Sequence, residues 1–301
     1  MNRFAALAAL AACVAGCSVQ RLAVRSVGDM LASGDSIFTS DADPELVADA
    51  LPFALKLLDG LIAEQPEHRG LLLAAARGYL LYAYAFVALP AEQVQHEDIR
   101  RARAMRDRAR GLFLRAHDYA RRALLVDYPE LAGRLEADPA QALTAVGDDP
   151  ERDVATLYWN AATLGLAISA SRNEPALLAR LGEVQAMLQR AFVLDESWNA
   201  GALHEMALAL AAAGSGTPDE ATLRAHYERA LELSGGARAG VHVTYAEAVA
   251  VPRQDRALFV ETLRRALAID ADAFPSERLL NVIAQRRARW LLDNADLFFL
   301  E

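Results

Sequence analysis

The chain repeats one helix-ending pattern at a nearly regular interval, and that recurrence limits its possible folds more than any other feature. Arg121-Arg122-Ala123-Leu124-Leu125-Val126-Asp127 is echoed by Gln189-Arg190-Ala191-Phe192-Val193-Leu194-Asp195. The pattern returns in Glu228-Arg229-Ala230-Leu231-Glu232-Leu233-Ser234 and in Arg264-Arg265-Ala266-Leu267-Ala268-Ile269-Asp270. Gly60-Leu61-Ile62-Ala63-Glu64-Gln65-Pro66 is a weaker copy, with Gly60 in place of alanine. Ala123 to Ala191 is 68 residues, Ala191 to Ala230 is 39, and Ala230 to Ala266 is 36. Ala-Leu pairs alone carry little weight in a chain that is 54% apolar. The upstream charged residues, the downstream turn residue and the spacing together exclude coincidence. A small residue lets a partner helix approach closely, and the turn residue stops the helix before the next pair begins.

The spacing is near the ~34 residues of a tetratricopeptide (TPR) unit, and 68 is two such units. The expected fold is all-α: a TPR-like helix-pair array, or α-α superhelix, with irregular insertions. Alanine and leucine dominate and aromatics are 7%, a composition suited to helix. Asp43-Pro44-Glu45, Asp149-Pro150-Glu151 and Thr217-Pro218-Asp219-Glu220 each place a capping side chain before a proline at the first helical position. Thr217 and Glu220 also have capping-box spacing. Helices are predicted over 21–33, 44–64, 68–88, 92–127, 152–171, 175–194, 198–213, 218–234, 237–250, 254–270 and 276–298. The stretch from Tyr128 to Asp149 is the least regular part, and no segment reads as a strand.

The amino terminus predicts export and anchoring. Arg3 precedes an apolar run from Phe4 to Ala15, too short to span a bilayer, which needs ~20 apolar residues. Val14-Ala15-Gly16-Cys17 fits a lipobox: an aliphatic residue, two small residues, then the cysteine whose thiol receives diacylglycerol. Leu10-Ala11-Ala12-Cys13 fits the same pattern; Cys17 is preferred because polar sequence follows it directly. The domains expected are a signal peptide over 1–16, a lipidated N-terminus with linker or first helix over 17–40, and a TPR-like helical domain over 41–301. Cleavage before Cys17 removes Cys13, leaving no free thiol for a disulfide, a zinc site or a nucleophile. It also removes Arg3, taking the formal charge from −9 to −10. No cofactor is expected beyond the diacylglycerol and N-acyl lipid on Cys17. Two or more acyl chains hold a protein stably on a membrane without crossing it. Ser18 after the cysteine favours the outer membrane over the inner one, with the domain on the periplasmic side.

An acidic chain repels phosphate backbones, so nucleic acid is not an expected partner. Arg100, Arg101, Arg103, Arg106, Arg108 and Arg110 spread around a helix instead of forming a stripe, as a solvated helix would. Catalytic signatures fail as well. His204-Glu205 has Leu208 where a zinc-protease helix needs its second histidine, and Glu196-Ser197 lies in a turn without the glycine-rich sequence that a cell-wall hydrolase would need. Neither a P-loop, a dinucleotide fingerprint nor Gly-x-Ser-x-Gly occurs, and the chain is not expected to be an enzyme. Aromatics say more. Tyr79, Tyr82 and Phe86 share one helix face, with Tyr84 displaced from it. In such arrays the first helix of each pair lines the concave surface. Tyr79, Tyr82, Trp159, Asn160, Trp198, His204, His242 and Tyr245 are therefore the candidate residues of a cleft for a partly apolar ligand or partner; core packing is the competing role for each.

Residues along nearly the whole chain resemble the TPR-containing T components associated with tripartite ATP-independent periplasmic (TRAP) transporters. The resemblance is carried by Gly16-Cys17-Ser18, Asp43-Pro44-Glu45-Leu46, Leu51-Pro52-Phe53, Leu71-Leu72-Leu73-Ala74-Ala75-Ala76, Tyr82-Ala83-Tyr84-Ala85-Phe86 and Tyr158-Trp159. It continues through His204-Glu205, Leu233-Ser234-Gly235-Gly236, Val251-Pro252-Arg253-Gln254-Asp255-Arg256 and Ala284-Gln285-Arg286-Arg287-Ala288-Arg289-Trp290-Leu291-Leu292. The last two stretches are the most specific, because repeat periodicity does not require them. The resemblance implies a non-enzymatic, periplasm-facing lipoprotein that forms a homotrimer, engages the substrate-binding P component, and handles hydrophobic ligands in a pore or cleft through each protomer. An envelope-assembly TPR scaffold without a solute ligand is the alternative.

Overall fold

Aspartate and proline set where the helices begin. The computed structural model describes residues 37–171, 173–213 and 219–300. The Asp43 carboxylate accepts hydrogen bonds from the Glu45 and Leu46 amides and opens α1 (Pro44–Glu64). Asp149 does the same for Arg152 at the start of α4 (Pro150–Ser169). Between them lie α2 (Arg69–Ala83) and α3 (Ile99–Asp127). Next come α5 (Leu181–Asp195), α6 (Trp198–Ala213) and α7 (Glu220–Ser234), the last capped by Asp219. The expected Thr217 cap and Pro218 lie outside the described residues, as do both cysteines, the signal peptide and the helix expected over 21–33. The array ends with α8 (Ala239–Tyr245), α9 (Arg256–Ala268) and α10 (Arg278–Asp293). No strand occurs among the described residues.

The helices pair as α2/α3, α4/α5, α6/α7 and α8/α9, flanked by α1 and α10. Ala123, Ala191, Ala230 and Ala266 are all fully buried, as close helix approach requires. At Ala230 the approach comes from Gly201, where a Cβ would stand 3.1 Å from the Ala230 Cα. Gly60, the odd member of the pattern, has open space where its Cβ would be, so the first copy marks no such contact. The irregular stretch after α3 covers the α3–α4–α5 core with buried Leu131, Leu135, Leu143 and Val146. Tyr128 pins it, donating to Asp153 at 2.5 Å while the Gly147 and Asp148 amides donate to the same phenol oxygen.

Two helices depart from α geometry in the same way. The expected helix over 68–88 continues past α2 as a π-turn at Tyr84–Ala88, then resumes at Leu89–Gln93. The second half of the helix expected over 237–250 is likewise a π-turn, Ala246–Ala250. Prolines follow both, Pro90 and Pro252. Each lacks an N–H, and its ring crowds the carbonyl four residues back, which a widened preceding turn relieves. Residues Arg69–His96 together are long and apolar enough to span a membrane by length and composition. Here α2 instead packs between α1, α3 and α4, which explains an apolar surface on several sides.

The last helix returns to the first. Leu279 and Ile283 of α10 join the same core as Leu51, Leu55 and Leu71. The Leu279 amide donates to the Thr39 carbonyl at 2.9 Å, Arg278 donates to the Ser40 carbonyl at 3.0 Å, and Arg286 pairs with Glu45.

Candidate functional site

The first helices of the pairs all turn one face inward, and with α1 and α10 they surround a cavity of about 720 Å³. Small residues make the space: Ala74, Gly78 and Ala85 from the α2 segment, Ala161, Ala162 and Gly165 from α4, Ala209 from α6, Gly240 from α8 and Ala284 from α10. Leu51, Leu55, Leu81, Trp159, Leu210 and Ile283 supply apolar walls. Phe38 and Thr39, the chain just before α1, also line it. A shallower groove on α9 is bounded by that helix alone and encloses nothing.

Besides Arg77, which lies over the Trp159 ring, charge falls in two clusters near opposite ends of α8. At one end Arg238 donates to Glu277 at 3.0 Å and stands 3.6 Å from Glu205. At the other, Arg287 contacts Glu247 at 2.6 Å and Glu92 at 2.5 Å. The π-turns serve the second cluster, since one carries Tyr84 and the other Glu247. Tyr84 keeps 38% of its surface accessible although it lies inside the array, because it opens into the cavity. Burial raises the Glu205 carboxyl above its ordinary range; Arg238 opposes the shift and Glu277 adds to it. Burial likewise raises Glu247 against the pull of Arg287. The Tyr158 phenol is pushed up to about 12 by burial and the neighbouring Glu205 carboxylate.

Of the eight residues expected at a cleft, Trp159 lines this cavity, half-buried with Arg77 over its ring at 5.6 Å. The other seven turn elsewhere. Tyr79 is buried against α3, stacked on Tyr119, and donates to Asp59 at 2.8 Å. Tyr82 packs on Phe86 beneath Arg108. Asn160 is fully buried and donates to the Ala120 and Thr156 carbonyls, tying α4 to α3. Trp198 is half-buried against Tyr158. His204 faces His226, Nδ1 to Nδ1 at 2.9 Å. His242 accepts the Tyr227 hydroxyl at 2.7 Å or donates to it, and Tyr245 stacks on Tyr227 at 4.0 Å. Tyr79, Tyr82 and His204 fill the seam between the two helices of a pair, whereas Asn160, Trp198, His242 and Tyr245 pack between neighbouring pairs, off the inner face. The inner face instead shows Arg77, Gly78 and Leu81; Glu205, Met206 and Ala209; Gly240, Val243 and Thr244. A sequence signal for the two π-turns is the internal repeat Ala85-Phe86-Val87-Ala88-Leu89-Pro90 against Glu247-Ala248-Val249-Ala250-Val251-Pro252. Glu196-Ser197 sits in the turn after α5, where Asp195 holds Ser197 and Arg229 holds Glu196 at 2.5 Å. Among the described residues no group of three or more metal-binding side chains occurs.

Fold and cavity together define an all-α helix-pair array whose last helix closes against its first around an internal space. The chain matches the TRAP transporter T-component family over residues 40–299 and belongs to that family. An uncharacterized protein of Treponema pallidum (strain Nichols) is 34% identical over 312 residues, covering 97% of this chain and 97% of that protein. The chain is thus an accessory component of a TRAP transport system.

Proposed function

We propose that this component is a periplasm-facing lipoprotein, anchored through Cys17, that engages the substrate-binding P component and holds a largely apolar solute in its central cavity. One observation carries the reading: a cavity of about 720 Å³ lined mostly by small and aliphatic side chains, with ion-paired clusters toward its two ends. Protein interiors pack closely, so an internal space of this size must be maintained by the sequence. Its dimensions fall within the ~300–1,000 Å³ of small-molecule sites. Among the described residues no catalytic constellation accompanies it, which suits binding and transfer better than chemistry.

The test is affinity capture of the full-length protein from its native envelope, with identification of co-purifying proteins and of extracted small molecules. Recovery of a TRAP substrate-binding protein together with an apolar solute is the expected result. Recovery of envelope-assembly factors with no bound small molecule would refute the reading and favour a scaffold.

A further inference from the structure

The two charged clusters look alike in composition, one guanidinium and two carboxylates, but they differ in what an occupant of the cavity would meet. In both, the arginine is nearly covered: its side chain is 9% accessible for Arg238 and 6% for Arg287. The carboxylates keep more surface, 28% for Glu205, 20% for Glu277, 35% for Glu247 and 45% for Glu92. At the Arg238 end the cavity therefore presents carboxylate oxygen from Glu205 and Glu277 beside the guanidinium, whereas at the other end Arg287 lines it and Glu247 and Glu92 do not. Three of the four carboxylates are already engaged within 3.0 Å by an arginine. Glu205 is not. It lies 3.6 Å from Arg238, beyond hydrogen-bond range, and accepts no hydrogen bond from any side chain or amide among the described residues.

We propose that the cavity receives an amphiphile with an aliphatic ammonium head, seated on Glu205, and an alkyl tail running along Leu55, Leu81, Trp159 and Leu210. This deepens the reading of the cavity as a solute chamber and rests on it. With both carboxylates ionised, Arg238, Glu205 and Glu277 sum to one negative charge, which an ammonium ion neutralises. A carboxylate head would instead bring a third acid beside two interior ones, against which Arg238 offers only a buried Nε that has no hydrogen-bond partner of its own among the described residues. A hydroxyl head could donate one hydrogen bond but would leave the charge uncompensated. Gly240 makes the position possible: a Cβ there would stand 2.6 Å from the Glu205 Oε1, so only glycine leaves that oxygen in place. From Arg238 to Glu247 is nine residues, about 13 Å of helical rise, so the tail has an extended apolar path between the clusters. Burial raises the Glu205 pKa, and an ammonium ion beside it would pull the group back toward its ionised form.

Three probes of equal chain length test the head group: dodecylammonium, dodecanoate and dodecanol. They are titrated into the full-length protein in lipid nanodiscs, with protein-free nanodiscs as the partition blank. Dodecylammonium is expected to bind about tenfold tighter than either other probe, the scale of one charge-assisted hydrogen bond. Glu205→Gln should remove that preference while leaving dodecanol affinity unchanged. Gly240→Ala, which displaces the same oxygen, should act in the same direction. Dodecanoate binding as tightly as dodecylammonium in the unmodified protein would overturn the ammonium head yet leave the chamber standing. An ammonium preference that survives in Glu205→Gln would overturn the seat. Failure of all three probes to bind would overturn the chamber itself.

Discussion

Two glycine-to-alanine substitutions should move stability in opposite directions, and the structure gives the reason for each sign. Gly201 has φ +85° and follows Asn199 and Ala200, which are also left-handed. Alanine at Gly201 would incur the left-handed penalty of roughly 1–2 kcal/mol. Its Cβ would also stand 3.1 Å from the Ala230 Cα, 3.3 Å from the Ala230 carbonyl oxygen and 3.2 Å from the Leu233 Cβ. Backbone atoms of α7 cannot rotate away as a side-chain tip can, so overpacking adds about 1–3 kcal/mol. The sum is a loss of about 2–5 kcal/mol. Gly60 lies within α1, and a Cβ there meets nothing within 4 Å. Alanine at that position should gain about 1 kcal/mol from helix propensity alone. Thermal unfolding followed by circular dichroism reads both, at roughly 2–4 °C per kcal/mol for a domain of this size. Gly201→Ala should therefore melt several degrees below the parent and Gly60→Ala a few degrees above it. Equal effects of the two substitutions, or a neutral Gly201→Ala, would refute the α6–α7 approach on which the repeat alignment depends.

Four further outcomes are expected. Cys17→Ala should release the protein from the membrane fraction or stall its processing; retention of Cys17→Ala with loss in Cys13→Ala would move the anchor to Cys13. Ala266→Leu should cost about 1–3 kcal/mol in unfolding free energy, against which an unchanged melting temperature would count. Burial lowers the pKa of His204, His226 and His242, the last to about 4, and also that of His117. The unfolded chain then binds more protons below the ordinary histidine pKa of about 6.5, so stability should fall as pH drops from 7 toward 4, and His242→Gln should flatten that slope. Trp159→Ala should weaken binding of an alkyl probe while the fold persists, whereas Trp198→Ala should act mainly on stability; denaturant titration and probe binding on the same variants separate the two.

The repeat signal was legible because it rests on local rules. Capping aspartates and prolines mark helix starts, and buried alanines mark close approaches, and both are properties of a few neighbouring residues. Which residues face the cavity was not legible, and the obstacle is angular. Successive helix positions are about 100° apart, so choosing His204 over Glu205, or His242 over Val243, turns a side chain from the inner face to the seam. Aromatics are the expected cleft residues, yet the bulk of all but Trp159 fills contacts between helices, while an inner face that encloses space needs alanine and glycine. Those residues carry no signal in an alanine-rich chain. The two stretches that repeat periodicity did not require turn out to share a role. Ala284–Leu292 is the heart of α10, whose Arg286 and Arg287 reach Glu45, Glu92 and Glu247. Gln254 binds the chain end, accepting from the Leu300 amide at 2.7 Å and donating to the Phe298 carbonyl at 3.0 Å.

That division of labour explains where the ion pairs fall. A buried ion pair stabilises less than a packed apolar contact of the same volume, so a helix held only for stability would be seated on leucine. Within the pairs that is what occurs: Leu157, Leu164, Met187 and Ala191 meet in one dry core. α10 has apolar seats too, Leu279 and Ile283 in the α1–α2 core and Ala288 and Leu291 in the α8–α9 core, but it adds polar ties through Arg278, Arg286, Arg287 and the Arg238–Glu277 bond. Apolar contacts are non-directional, and the closing helix seated by them alone would gain by moving inward and filling the cavity. Directional bonds, Arg238–Glu277 and Arg287–Glu247, tie it also to the two ends of α8. Between those ties the small residues of the inner face leave the space that an occupant would enter.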